Sequence, residues 1–270
     1  MSKVQEKIRE IEEQKLGTSG RSVLLVEGTD DELFFSNVLT KKYPDKKDHW
    51  LIAAAGNKTQ VLEILQERQK WLGIVDKDEW SQELIKQKQQ DIENLWILPR
   101  FCIENYLIIP AELWSAFPKK QQKKIPGGQQ ELEQKLIEDL PKWVAHGVLW
   151  SVINPLWEGL RARGFKEDLL SPDIVQNEQA IKEKLREWHD FLEPKKLWGQ
   201  FSLQLDEAKG FTTEQQLKHW VHGKKFYENV IHPVFNELLG QQSASERKKA
   251  IIRTCPVPDD LTGLWEKMGL

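Results

Sequence analysis

The residues best suited to chemistry in this 270-residue chain are carboxylates gathered in three short segments. In VLLVEGTDD, Glu27, Asp30 and Asp31 follow directly on the four apolar residues Val23–Val26. Asp76 and Asp78 form a DxD directly after Trp71-Leu72-Gly73-Ile74-Val75, and Glu104 lies inside LPRFCIENYLIIP. Acids that line one pocket repel one another unless a cation neutralises them. Oxygen ligands favour Mg²⁺, or Mn²⁺ in its place. Extended backbone beyond Val75 would turn Asp76 and Asp78 to the same face, because side chains in a strand alternate with a period of two.

Such acids need a frame. An apolar run bounded by Gly is the signature of a buried strand. On that basis Val23–Val26 is a strand, and a helix over Asp31–Lys41 buries Leu33, Phe34, Val38 and Leu39. His49–Gly56 is a second strand, followed by a helix capped by Asn57. Trp71–Val75 and Asn94–Leu98 are the third and fourth strands, the last stopped by Pro99. The Gln- and Lys-rich stretches 81–90 and 119–130 are expected to be solvated loops. This alternation predicts an α/β fold with a mainly parallel sheet flanked by helices, whose ligands sit at the carboxyl ends of the strands.

Beyond residue 110 the strand signal stops. Helical stretches are expected at 111–117, 129–139, 143–162, 175–192 and 213–239, punctuated by prolines that include Pro155, Pro172 and Pro194. The predicted organisation is an N-terminal helix (1–20), an α/β core (21–110) and a mainly helical subdomain (111–270). The narrow stripe Val4, Ile8, Ile11 and Leu16 predicts that the first helix packs loosely at the periphery.

Composition narrows the function classes. The chain is 39% hydrophobic and 30% charged, with no apolar run long enough to span a membrane, and a soluble cytoplasmic protein is expected. Cys102 and Cys255 are the only cysteines and form no metal-binding pattern. A net charge of −3 argues against a generally adhesive nucleic-acid binder but not against a nuclease built on acids and metal ions. The twelve Trp are dispersed, which suits packing better than base stacking. No GxxxxGK[ST] motif is present, so no built-in ATPase is indicated.

A strand ending in VEG with an acid four residues after the Glu, followed by a strand ending in DxD, resembles the Toprim domain. The segment LPRFCIENYLIIP resembles its OLD-like (overcoming lysogenization defect) branch. The resemblance covers residues 23–110. It implies that Glu27 is a metal ligand and acid/base group, and that Asp31, Asp76, Asp78 and Glu104 are further ligands. Asp30 is the competing neighbour, with the spacing favouring Asp31. Lys224, in the Gly-Lys of the later helical region, is similar to the basic residue that supports the phosphate. The implied activity is two-metal hydrolysis of DNA or RNA phosphodiesters with Mg²⁺ or Mn²⁺, in an anti-phage effector. Branch members are often encoded beside an ABC-type ATPase, which is the implied partner.

Basic pairs are candidates for a phosphate track: Lys41-Lys42, Lys46-Lys47, Lys119-Lys120, Lys123-Lys124 and Lys224-Lys225. His219 and His222, three apart, lack a third His or Cys nearby and are expected to pack rather than to bind metal. The rival function is a Toprim-like module that docks or senses as the partner of an ATPase without cutting. A receiver-like phosphate site is disfavoured, since no strand after residue 110 ends in Lys.

Overall fold

Every strand of the sheet comes from the first hundred residues. The computed structural model describes residues 2–170, 174 and 177–270. The strands are β1 (Ser22–Val26), β2 (Trp50–Ala54), β3 (Leu72–Val75) and β4 (Leu95–Ile97). All pairings are parallel, in the order β2-β1-β3-β4, with Val26 opposite Ala54 and Leu25 opposite Gly73. This is the α/β fold class read from the sequence, and it is consistent with a Toprim-like core. Alternation along β1 sends Leu24 and Val26 into one hydrophobic core and Val23 and Leu25 into the other. Helix α2 (Thr29–Lys42) covers the first face through Phe34, Phe35, Val38 and Leu39, and α3 (Lys58–Glu67) covers the second through Val61, Ile64 and Leu65.

The N-terminal helix α1 (Lys3–Glu10) and the π-helical turn Ile11–Leu16 are more tightly bound than expected. Ile8 and Ile11 are fully buried beside α3 on the second face. The stripe suffices because Val4, Ile8 and Ile11 join the same apolar cluster as Val61, Ile64 and Leu65 of α3, with Leu16 packed at its margin.

The helical half fits the expected class, but its boundaries differ. Residues 81–90 are not a loop: α4 (Gln82–Asp91) starts where Ser81 Oγ accepts from Leu84 N–H at 3.3 Å. Gln, Lys and Glu are good helix formers, so polarity alone does not signal a loop. The stretch 119–130 likewise holds α6 (Lys119–Gln122) and the start of α7 (Gly128–Ile137), after α5 (Pro110–Ala116). The expected helix 143–162 is two, α8 (Leu140–Ile153) and α9 (Leu156–Ala162), broken at Pro155, with α10 (Glu167–Leu170) next.

Helix α11 (Glu178–Phe191) starts from the Asn177 cap; Val175 and Gln176 of that expected helix, and Pro172, lie outside the described residues. Helix α12 (Pro194–Lys209) was not foreseen, because Pro194 acts as a first-turn proline and not as a breaker. The expected 213–239 helix is divided into α13 (Thr213–His219), α14 (Gly223–Phe226), a π-helical turn at Tyr227–Ile231 and α15 (His232–Leu239). Two further helices, α16 (Ala244–Thr254) and α17 (Thr262–Lys267), complete the chain.

One continuous apolar core runs from β1 and α2 through Phe226 and Phe235 to Trp265, so the helical half packs on the sheet face that α2 occupies. Arg100 pins this junction. Its guanidinium, 2% exposed, donates to both Glu112 oxygens (2.8 and 2.7 Å), to Asp260 Oδ2 (2.8 Å) and to the Asn105 carbonyl (3.0 Å), and stacks 4.0 Å from the Tyr106 ring. Replacing Arg100 with Met should cost roughly 3 kcal/mol or more, since two carboxylates lose their buried partner. A urea midpoint equal to wild type would refute that role.

Candidate metal centre

Glu27 and Asp76 stand at the carboxyl ends of the neighbouring strands β1 and β3. Chain connectivity reverses there, leaving α2 on one face and α3 on the other, and open parallel sheets bind ligands at such points. Glu27 Oε1 accepts from Asp76 N–H at 2.8 Å, tying the two strand ends together. Oxygens of Glu27, Asp76 and Asp78 all lie within 4.8 Å of one another.

Asp78 arrives by a different route from the one expected. It has φ +46°, so the chain leaves β3 by a left-handed turn and not as extended backbone. Asp tolerates that conformation better than most residues. The turn is held by Asp78 N–H donating to the Phe101 carbonyl (2.7 Å) and by Lys58 Nζ donating to Asp78 Oδ2 (2.6 Å). Asp76, 5% exposed, accepts from Ile103 N–H (3.0 Å) and from Lys224 Nζ (3.2 Å).

The remaining acids share one cleft of about 320 Å³, lined among others by Glu27, Asp31, Asp76, Glu104 and Lys224. Asp31 is drawn inward by the start of α2, where its Oδ2 accepts from Gly28 N–H at 2.6 Å. Asp30 turns instead to Lys248, 3.2 Å away. Both neighbours line the cleft, and they differ in their partners: a backbone N–H for Asp31 and an ammonium for Asp30. Glu104 reaches the cleft on the 3₁₀ turn Ile103–Tyr106, with one oxygen 3.1 Å from Lys248 Nζ and the other 3.2 Å from Cys102 Sγ.

That turn also places Lys224. Asn105, fully buried, donates to the carbonyls of Leu217 (2.6 Å) and Val221 (3.0 Å), which clamps the turn to the α13–α14 junction. Gly223 fits against it so closely that an added Cβ would lie 2.3 Å from Asn105 Oδ1. Gly223→Ala should therefore displace Lys224 and destabilise the protein by roughly 1–3 kcal/mol. Thermal melts should show the loss, and a melt identical to wild type would contradict the close fit.

Burial dominates the electrostatics of the acids, with their mutual repulsion second to it. Burial raises Glu27 above its usual range, against the Asp76 N–H bond and Lys58. Burial pushes Asp31 up to about 7, with Glu27 and Glu104 adding repulsion. Asp76 is likewise raised well above its usual range, by burial first and then by Asp78. Lys224 is also raised: desolvation opposes its charge, but Asp76 and Glu104 outweigh it. In an ordinary ion pair the acid would move down. Here both partners move up: Asp76 because burial, and then Asp78, disfavours its charge, and Lys224 because several acids face it. Hard oxygen donors with a charge surplus suit Mg²⁺ or Mn²⁺, so the residues present fit such an ion.

Not every candidate belongs to the centre. Lys41 and Lys42 end α2, roughly 18 Å along the helix from its start at Thr29, and Lys41 Nζ donates to the Cys255 carbonyl at 2.6 Å. Helix α2 starts beside the acids and ends at these lysines, so its length carries them away from the centre. Lys225 points away from Lys224 and pairs with Glu228 at 3.2 Å, because successive helical residues diverge by 100°. The other basic pairs are exposed. His222 packs against Phe101 and Trp150, and among the described residues no His joins the metal-competent group.

Two lysines that pair with the acids, Lys58 and Lys248, escaped the sequence reading. Lys58 follows the Asn57 cap after β2, so the strand-end rule that singled out Glu27 could have found it. Lys248, in SERKKAIIRT near the end of the chain, carries no local signal.

Fold and site together define a parallel α/β protein with an acidic, metal-competent centre at its switch point. No family model matches the chain, and no curated protein matches it in sequence.

Proposed function

We propose that this protein is a metal-dependent nuclease that hydrolyses DNA or RNA phosphodiesters, as its resemblance to the OLD-like Toprim branch implies. The observation that carries the reading is the convergence of Glu27, Asp76 and Asp78 within 4.8 Å beside Lys224. A divalent cation held by these three carboxylates would supply Lewis acidity toward a phosphate oxygen and lower the pKa of water. Lys58 holds Asp78, and the Ile103 N–H holds Asp76, so the ligand atoms are fixed before substrate arrives. Lys224 sets an ammonium at the cleft, where it would stabilise charge developing on the scissile phosphate. Glu27 would orient water or move its proton. Asp31 and Glu104 line the same cleft and add negative charge beside the three converging ligands.

The test is cleavage of DNA and of tRNA with Mg²⁺ or Mn²⁺, against an EDTA control. Lys224→Ala should lose about 10²–10³-fold in turnover, whereas Lys225→Ala, whose side chain faces solvent, should stay near wild type. Equal losses in the two variants would point to general phosphate attraction and remove Lys224 from the site.

A non-cutting docking module, partnered by an ABC-type ATPase, is the second reading. One observation favours it. The nine large apolar side chains that are exposed among the described residues all fall between Leu149 and Phe211, including Trp157 and Trp198. Exposed apolar side chains concentrated in one stretch of chain are what a docking surface there would use. Absence of cleavage in every metal, together with co-purification of an ATPase, would favour this second reading.

A further inference from the structure

We propose that Lys248 is a built-in cation that stands where a second divalent ion would bind, so that the centre takes one divalent ion. This rests on the metal reading above and refines its stoichiometry.

The acidic cleft has two halves. In the first, Glu27, Asp76 and Asp78 present mutually close oxygens suited to an ion. In the second, a single ammonium bridges two carboxylates, whereas Lys58 and Lys224 in the first each pair with one. Lys248 Nζ lies 3.1 Å from Glu104 Oε1 and 3.2 Å from Asp30 Oδ2. The other Glu104 oxygen faces Cys102 Sγ at 3.2 Å, so both oxygens of this 6%-exposed side chain already have a partner. Asp31, the remaining acid of this half, has one oxygen committed to the Gly28 N–H.

The ammonium is also cradled by an aromatic face, with the Tyr227 ring centroid 5.5 Å away. Two carboxylates and a ring make a cation site, and the protein fills it with its own side chain. The stem is anchored as well. Lys248 rises from α16, which packs on α2 and buries Ile251 and Ile252, and its own side chain is only 20% exposed. A tethered ammonium so held resists displacement, because leaving would strand a buried carboxylate without its partner. Lys248 touches none of the three converging ligands by a hydrogen bond or ion pair among the described residues. Its effect is therefore on the number of ions and not on the ligand geometry of the first.

The experiment is equilibrium binding of Mn²⁺ to the full chain, read by titration calorimetry and by the paramagnetic resonance of free Mn²⁺. Wild type should bind one equivalent. Lys248→Met, which keeps the stem and removes the charge, should bind two. Lys248→Arg should bind one, and Lys248→Met combined with Glu104→Gln should return to one. In EDTA, Lys248→Met should melt below wild type and recover on adding Mn²⁺. If that variant fails to fold, Lys248→Gln replaces it, and the wild-type count is decisive by itself. Two equivalents on wild type, or one on a folded Lys248→Met, would overturn the assignment while leaving the metal centre intact. No binding to wild type would overturn both this inference and the metal reading beneath it.

Discussion

Asp76→Asn combined with Asp78→Asn should reduce phosphodiester cleavage at least about 10³-fold while leaving the metal-free fold as stable as wild type. The first half follows from position. Both carboxylates belong to the converging set, and losing two of three anionic ligands leaves too little charge to retain a divalent ion at millimolar concentration. A 10³-fold loss corresponds to roughly 4 kcal/mol of transition-state stabilisation, modest for removing a metal. The second half follows from environment. Asp76 is buried and repelled by Asp78, Asp31 and Glu27, with Lys224 as its main attraction. An Asn oxygen can still accept from the Ile103 N–H that Asp76 now engages. Neutralising the pair therefore removes repulsion without opening a cavity, the pattern expected where function holds a site away from maximum stability. Cleavage by the double variant at the wild-type rate would sink the centre. An unfolded variant would show instead that the acids are structural.

The metal-free protein should lose stability as pH rises from about 4 to about 7, and a divalent cation should reverse the loss. Asp31 carries most of this expectation. Burial pushes its carboxyl up to about 7 from an ordinary 3.8, with Glu27 and Glu104 adding to the rise and the Gly28 N–H and Lys224 opposing it. The fold thus holds this proton more tightly than the unfolded chain does. The associated stability is complete below the ordinary carboxyl range and is lost as pH climbs through the folded value. Some three pH units amount to roughly 4 kcal/mol, and Glu27 and Asp76, shifted in the same direction, add to it. A divalent ion bound to the carboxylates removes the penalty of ionising them, so Mg²⁺ should raise the Tm far more at pH 8 than at pH 5. Asp31→Asn, which can keep the bond to Gly28, should flatten the EDTA profile. Melts that rise with pH in EDTA, or an Asp31→Asn profile parallel to wild type, would contradict the electrostatic picture.

Much of this was legible before any coordinates. The four strands, their parallel alternation with helices and the strand-end positions of Glu27 and Asp76 follow from apolar runs bounded by Gly and acid, because a doubly covered strand must be apolar on both faces. Spacing favours Asp31 over Asp30; in the fold both line the cleft, Asp31 held by the Gly28 N–H and Asp30 paired with Lys248. Helix boundaries in the second half were less legible. Pro194 begins α12 and Pro155 lies between two helices, and the same residue type supports both outcomes.

By itself, then, the sequence determined the sheet and which acids stand at its carboxyl edge, since those depend on local periodicity. Only the tertiary structure decided how the acids are shared out. The left-handed turn that swings Asp78 beside Asp76 is fixed by the Phe101 carbonyl and Lys58, neither of them local to the DxD. Lys248 reaches Glu104 across 144 residues, and Lys224 reaches Asp76 across 148. No periodicity encodes such pairings, because they arise where helices from distant parts of the chain dock on a common core, and charge then settles between whichever side chains that docking brings together.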